Sequence, residues 1–180
     1  IEAQHAFLKD VSAERIQIEL LKLLISRHPE MIRAAYETGL TSVFLPEFDR
    51  MMETPQNNPH HIYSVGDHTI HAVETIAPNP ILRLTMLFHD IAKPETRSTD
   101  ENGIDHFYNH NEAGAVLSKT ILRRLKFDNQ TTQMVTTLIA HHDIRFNDAL
   151  GTGRKHVRRV IHSVGENLFP YLLDVMEADI

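Results

Sequence analysis

The stretch ILRLTMLFHD, residues 81–90, decides the fold class, because an almost uninterrupted apolar run ends there in two potential metal ligands. It predicts a strongly apolar helix over residues 81–91, which Pro94 brings to an end. An imidazole and a carboxylate are costly to bury on such a helix unless each is paired or bound to a metal. His89 and Asp90 therefore predict a metal site inside a helical protein.

Helical spacing of apolar residues continues on both sides of this stretch. Towards the N-terminus it predicts helices that begin after Ser12, cover Met31–Thr38 up to Gly39, open at Pro46, and run from Ser64 to about Ile76. Towards the C-terminus it predicts helices at about 111–125, 131–141, 154–164 and 166–179. Residues 96–105 are polar and predict an exposed loop, followed by a short extended segment at 106–108. Strand patterns are otherwise nearly absent, so the predicted fold class is all-α.

Composition limits both the fold and the kind of metal site. The 180 residues, 42% of them hydrophobic and 23% charged, are typical of a globular chain with its own core. Cysteine is absent, so any metal must be held by histidine nitrogen and by carboxylate or water oxygen. The net charge of −6 argues against nucleic-acid binding over the whole surface, although a local basic patch remains compatible with it.

Neither a membrane segment nor a secretory leader is evident. No stretch approaches the roughly 20 apolar residues of a membrane span. We therefore expect a soluble, cytoplasmic protein without a membrane partner. Because the chain starts at Ile1 without a methionine and stops directly after a helical acidic run, we also expect it to be a piece of a longer protein.

One His-Asp pair cannot complete a coordination sphere, so further ligands must come from other helices. The candidates are His68, His110, His141 or His142, and Asp179. In helical bundles such sites form where facing helices each project one or two ligands inward.

The order of a histidine, a His-Asp doublet and a closing aspartate resembles the HD superfamily of metal-dependent phosphohydrolases. The stretches HHIYSVGDHTIH, LRLTMLFHDIAKPET, HFYNHNEAGA and LLDVMEADI resemble the HD region of the bacterial CCA-adding enzyme and poly(A) polymerase family. SAERIQIELLKLL resembles the helical neck that joins a nucleotidyltransferase head to that region, and GLTSVFLPEFDRM the segment after it. The resemblance implies a helical neck or connector over residues 1–55 and an HD helical bundle, the phosphohydrolase domain, over residues 56–180.

The resemblance also implies a ligand set. His68, His89, Asp90 and Asp179 match the ligands of a divalent ion, and His110 and His141 fall where two-metal members place extra histidines. We expect one tight site, with His110 and His141 near the substrate or at a weaker second ion. Mg, Mn, Ni, Fe and Zn all remain candidates. Ala92 departs from the pattern, because many HD proteins have glycine there.

Catalytic and substrate-binding residues follow from the same comparison and from charge. Lys93 matches a lysine that points at the substrate phosphate. Asp90 would act as base and His110 as general acid, since imidazole titrates near neutral pH. Arg97, Arg145 and Arg154 are candidates for neutralising the phosphoryl group. Arg154 belongs to a basic cluster over residues 154–159, which would contact phosphate or tRNA from a helix N-terminus.

The leading hypothesis is a phosphohydrolase acting on nucleotides, 2′,3′-cyclic phosphates, phosphomonoesters or RNA 3′ ends, within a tRNA nucleotidyltransferase-like protein. The glycine-serine and paired-aspartate pattern of a nucleotidyltransferase head is absent from the sequence. One alternative is a non-catalytic HD scaffold that binds tRNA for a separate head. Another is a free-standing HD nucleotide hydrolase. The sequence leaves the oligomeric state open.

Overall fold

The structure, a computed structural model, describes residues 11–57, 63–146 and 153–179. Its helices are α1 Ala13–Leu24, α2 Ile32–Glu37, α3 Thr41–Phe44, α4 Pro46–Glu53, α5 Val65–Thr75, α6 Pro80–Phe88, α7 Lys93–Thr96, α8 His110–Arg124, α9 Asn129–His141, α10 Gly153–Val164 and α11 Phe169–Ala178. A 3-10 turn, Pro29–Met31, precedes α2. Strands β1 Arg97–Thr99 and β2 Asp105–Phe107 form one hairpin. The predicted all-α class is confirmed, and among the described helices none is long and apolar enough to cross a membrane.

Two helices begin where their capping serines predict. Ser12 and Ser64 each accept a hydrogen bond from a backbone N–H in the first turn of α1 and α5, at 3.4 and 3.0 Å. Asp128 caps α9 in the same way, so that helix starts earlier than its apolar spacing predicts. These caps satisfy backbone donors that a helix N-terminus otherwise leaves unpaired.

The polar stretch after α7 was predicted to be an exposed loop, but it contributes β1 and the start of β2. Antiparallel pairing places Arg97 opposite Phe107 and Thr99 opposite Asp105. The fully buried carboxylate of Asp105 accepts hydrogen bonds from Thr99 Oγ1 at 2.7 Å and from the backbone N–H of Asn57 at 3.0 Å. It also forms an ion pair with Arg97 at 3.0 Å. This buried, fully paired acid ties the hairpin to the bundle.

The main cluster of buried apolar side chains extends from the first helix to the last. Its centre is α6, whose Leu84 and Phe88 are fully buried. Leu24 of α1 and Phe48 of α4 belong to the same cluster of buried side chains as Val175 of α11. Each such side chain contributes roughly 1.5–3 kcal/mol through burial. The predicted division near residue 55 stays a prediction, and residues 1–10, 58–62, 147–152 and 180 lie outside the described chain.

Two glycines permit close helix packing beside the cluster of histidines and acids. A Cβ at Gly66 would lie 2.7 Å from the Met52 Cα, so only glycine lets α5 approach α4 this closely. A Cβ at Gly114 would lie 3.4 Å from the His89 carbonyl oxygen, where α8 crosses the end of α6. The first of these contacts fixes the start of α5, two residues before His68.

Candidate metal centre

His89 and Asp90 lie in the tight turn that follows α6. The apolar residues of α6 bury this turn, and the two side chains are 0% and 1% exposed. The backbone N–H of Lys93 donates to the Asp90 carbonyl at 2.9 Å, which continues the chain into α7. The same turn places Lys93 Nζ 2.6 Å from Asp90 Oδ2.

Four side chains converge at this turn and are called the first ligand group: His68 of α5, His89, Asp90, and Asp179 at the end of α11. One potential ligand atom from each lies within 4.8 Å of the others. His68 Nε2 is 2.9 Å and His89 Nε2 is 3.1 Å from Asp179 Oδ1. His89 Nε2 is also 3.2 Å from Asp90 Oδ2. The structure therefore brings together the four residues that the family resemblance implies as metal ligands.

The hydrogen bonds of His89 determine which of its nitrogens faces the group. Nδ1 lies 2.7 Å from the Met86 carbonyl, which can only accept, so Nδ1 carries a hydrogen. In the neutral ring Nε2 then has a lone pair, and it lies 3.3 Å from His68 Nε2. A buried lone pair among carboxylate oxygens is stabilised by a proton or a metal cation.

Electrostatics favour positive charge at the centre of the first ligand group. Burial alone would lower the pKa of His89, but Asp90 and Asp179 raise it to about 10. Burial would raise the pKa of Asp90, but His89 and Lys93 hold it well below its usual range. Neither Asp90 oxygen accepts a hydrogen bond of good geometry within the described residues, so Lys93 and the histidines contact it as charges. Nitrogen and oxygen donors in this arrangement are compatible with a divalent metal.

Asp90 also belongs to a second ligand group, with His110 and His142. Asp90 Oδ1 lies 3.5 Å from His110 Nε2 and 3.8 Å from His142 Nε2, and the two nitrogens are 3.2 Å apart. Both rings use Nδ1 to donate to a backbone carbonyl, of Phe107 and Ile139. Burial, with the charge of His89, lowers the pKa of His142 to about 4, so its ring is neutral at neutral pH. The Nε2 atoms of both rings thus face the same carboxylate oxygen.

His141 was expected near this site, and the structure places His142 there instead. His141 Nε2 lies 2.9 Å from Ser163 Oγ of α10, outside both ligand groups. The inward face of α9 carries Val135, Leu138 and Ile139, and His142 follows them at helical spacing whereas His141 does not. Extending that apolar periodicity by one turn would have selected His142 from the sequence.

A cavity of about 270 Å³ opens beside both ligand groups. Lys93, His110 and Arg145 line it, as the sequence predicts for residues that face a substrate. Lys93 Nζ donates to Gln56 Oε1 at 3.1 Å and lies 5.4 Å from the centre of the Phe107 ring, two contacts that the sequence did not reveal.

Two predicted phosphate-binding arginines lie outside the lining of this cavity. Arg97 is paired with the buried Asp105, and Arg154 lies on α10. In this structure Arg97 is a structural partner of the hairpin.

Comparison with known sequences adds independent findings. The sequence model described as the HD domain matches residues 60–180. The model described as the probable RNA and SrmB-binding site of polymerase A matches residues 1–52.

Three relatives illustrate the similarity. A CC-adding tRNA nucleotidyltransferase of Thermus thermophilus is 34% identical over 173 residues, which cover 92% of this chain and 38% of the relative. An A-adding tRNA nucleotidyltransferase of Deinococcus radiodurans is 32% identical, with the same two coverages. A multifunctional CCA protein of an Azoarcus species is 31% identical over 73% of this chain and 32% of the relative. The chain thus spans less than two fifths of the length of these curated relatives.

Proposed function

Because this chain belongs to the HD domain family, we propose that it is a metal-dependent phosphohydrolase domain for phosphomonoesters or 2′,3′-cyclic phosphates of nucleotides and RNA 3′ ends. The observation that carries this proposal is the convergence of the first ligand group beside a cavity lined by Lys93. His68, His89, Asp90 and Asp179 would hold the ion, which is one of Mg, Mn, Ni, Fe or Zn. When bound, such an ion activates water and polarises a phosphoryl oxygen.

Lys93 supplies fixed positive charge for the phosphoryl group. Its ammonium has three donors, and Asp90 and Gln56 already orient it from within the protein. A charge held in place before the substrate arrives stabilises developing negative charge without reorganisation. Arg145, which is highly exposed at the cavity, adds a second, mobile cation.

His110 has two possible roles that exclude each other. Because its Nδ1 donates to the Phe107 carbonyl, only Nε2 is available for proton transfer or for a metal. With one ion in the first ligand group, His110 Nε2 holds the proton that the leaving oxygen receives. With a second, weaker ion between His110, His142 and Asp90, that nitrogen is a ligand. Metal stoichiometry at saturating concentration decides between the two roles.

The longer protein would be tRNA nucleotidyltransferase-like, with residues 1–55 as a neck and residues 56–180 as the HD domain. The match to an RNA-binding segment over residues 1–52 supports this arrangement over a free-standing nucleotide hydrolase. In this setting the partner of the domain is tRNA, and its place is the cytoplasm.

A second candidate function is a non-catalytic scaffold for tRNA. The basic cluster of α10 favours it, because Arg154, Lys155, Arg158 and Arg159 are all exposed on one helix of an acidic chain. Such cations contact a phosphate backbone without reading its sequence. If the scaffold function holds, the double substitution Arg158→Glu and Arg159→Glu abolishes a gel shift with tRNA, and the purified protein hydrolyses no phosphate ester.

The proposed hydrolase is tested with the isosteric substitution Asp90→Asn. We expect loss of tightly bound metal, measured by elemental analysis, and a fall of at least about 100-fold in hydrolysis of adenosine 2′,3′-cyclic phosphate. Asp174→Asn is the matched control, because Asp174 is an exposed acid on α11 outside the site. Undiminished hydrolysis by metal-free Asp90→Asn protein contradicts the proposal.

A further inference from the structure

An exposed aromatic stack borders the cavity and takes no part in the ligand groups. The ring of Tyr108 lies parallel to that of His106, with centroids 5.4 Å apart and planes 7° apart. Tyr108 is 69% exposed although it is a large aromatic residue, so His106 covers only part of it. Both residues line the same cavity as Asp90 and Lys93.

The hairpin fixes the His106 side of this stack. His106 Nε2 lies 3.1 Å from Asp100 Oδ2, and the other oxygen of Asp100 accepts from the N–H groups of Asn102 and Ile104, each at 2.9 Å. The carboxylate of Asp105 anchors the same strand in the core. The His106 ring, against which Tyr108 stacks, is therefore positioned before any ligand arrives.

The stack is also connected directly to the proposed reaction centre. The carbonyl of Phe107, between the two stacked residues, accepts a hydrogen bond from His110 Nδ1 at 2.8 Å. Asn109 adopts a left-handed conformation, with φ 59°, and turns the chain from the hairpin into α8 at His110. Only Asn109 therefore lies between the residue with the exposed ring and His110, a member of the second ligand group.

We propose that the open face of Tyr108, with His106 behind it, is a stacking platform for the base of a nucleotide substrate whose phosphate lies at Lys93. The proposal rests on the proposed hydrolase function and assigns Tyr108 as its specificity-determining residue. A cavity of about 270 Å³ is at the small end of ligand pockets, so the sugar and phosphate occupy it while the base rests on the exposed rim. Stacking uses the face common to all bases, so the platform selects nucleotides over base-less phosphate esters and discriminates weakly between bases.

The test compares two substrates in each protein variant. They are adenosine 2′,3′-cyclic phosphate and methyl riboside 2′,3′-cyclic phosphate, which lacks the base, and the readout is the ratio of their kcat/KM values. We expect Tyr108→Ala to lower this ratio about tenfold, mainly through the KM of the adenosine substrate. Tyr108→Phe should keep the ratio, because it keeps the ring.

Tyr63→Ala is the matched control, since Tyr63 is a half-exposed tyrosine beside another histidine, His71, and lies outside this cavity. Its ratio should equal that of the unmodified protein. A ratio near one in the unmodified protein, or an equal ratio in Tyr108→Ala, overturns the platform and leaves the hydrolase proposal standing.

A binding measurement covers the case in which no ester is hydrolysed. Calorimetric titration with adenosine 2′-monophosphate should then show binding to the unmodified protein and at least tenfold weaker binding to Tyr108→Ala. That result supports the platform while the hydrolase proposal fails. Equal binding by both proteins, or no binding by either, overturns the platform as well.

Discussion

The buried first ligand group and the hairpin beside it differ in how completely their acidic side chains are paired. In the hairpin each buried or turn-forming acid has its partners, as Asp105 shows with Arg97, Thr99 and the Asn57 backbone. In the ligand group the acids Asp90 and Asp179 face imidazole nitrogens, and Asp90 pairs with Lys93 without a hydrogen bond of good geometry within the described residues. Complete pairing stabilises a fold, whereas incomplete pairing in a buried site is typical of ligand binding.

The largest effect is expected from His89→Gln, which removes the cation between the two acids of the ligand group. In metal-free protein this removes a positive charge that both the buried Asp90 and the partly buried Asp179 contact, and the free energy of unfolding should fall by about 3 kcal/mol. Urea denaturation at neutral pH measures it. The double substitution His89→Gln with Asp179→Asn should recover most of the loss, and failure to recover would mean that packing rather than charge was lost.

Asp105→Asn should damage the hairpin and leave the ligand group intact. The variant weakens a charged hydrogen-bond network, so we expect a loss of about 2 kcal/mol in the free energy of unfolding. Amide hydrogen exchange should accelerate in β1 and β2 while metal stoichiometry stays at the level of the unmodified protein. Loss of the metal would show that metal binding in the ligand group depends on the pairing of Asp105.

Gly66→Ala tests how helix packing positions a ligand. The added Cβ meets the Met52 backbone, so α5 must shift and carry His68 away from Asp179. We expect metal affinity to fall about tenfold, with a destabilisation of about 1–2 kcal/mol. Competition with a chelator measures the affinity. Gly103→Ala is the control, because a Cβ there meets nothing within 4 Å, although its positive φ adds backbone strain. Unchanged affinity in Gly66→Ala would contradict the role of this contact.

The smallest effect concerns the acid stability of the hairpin. Burial would raise the pKa of Asp105, but hydrogen bonds from Arg97 and Thr99 lower it to about 2. A lowered pKa in the folded state contributes stability that is complete above about pH 4 and is lost as the pH falls towards 2. The difference in unfolding free energy between the unmodified protein and Asp105→Asn should therefore shrink between pH 5 and pH 2. A constant difference would contradict the ionic role of Asp105.

The helices and the family resemblance could be predicted from the sequence. Regular helices follow from apolar spacing and capping serines, and the resemblance to the HD region of the CCA-adding and poly(A) polymerase family is confirmed. The resemblance to the HD superfamily implies the convergence of His68, His89 and Asp179, because no local pattern links residues so distant in sequence. Their role as ligands stays a proposal.

The parts that the sequence did not reveal depend on tertiary contacts. The contacts of Asp105 tie the hairpin to the core, and a polar stretch with a glycine gives no sign of that pairing. His141 and His142 are the same residue type, and only their positions relative to the buried apolar residues of α9 indicate which of them faces the ligand groups. Gln56 and Tyr108 belong to no sequence motif. Gln56 is identified by its contact with Lys93, and Tyr108 by its stack on His106.

The proposed function requires that His68, His89, Asp90 and Asp179 hold a divalent metal ion. Crystals of the full chain, measured above and below the absorption edge of the ion found by elemental analysis, test it most directly. We expect one strong anomalous peak bonded to all four side chains, with any weaker peak between Asp90, His110 and His142. Crystals of protein saturated with that metal that show no peak among the four residues would contradict it.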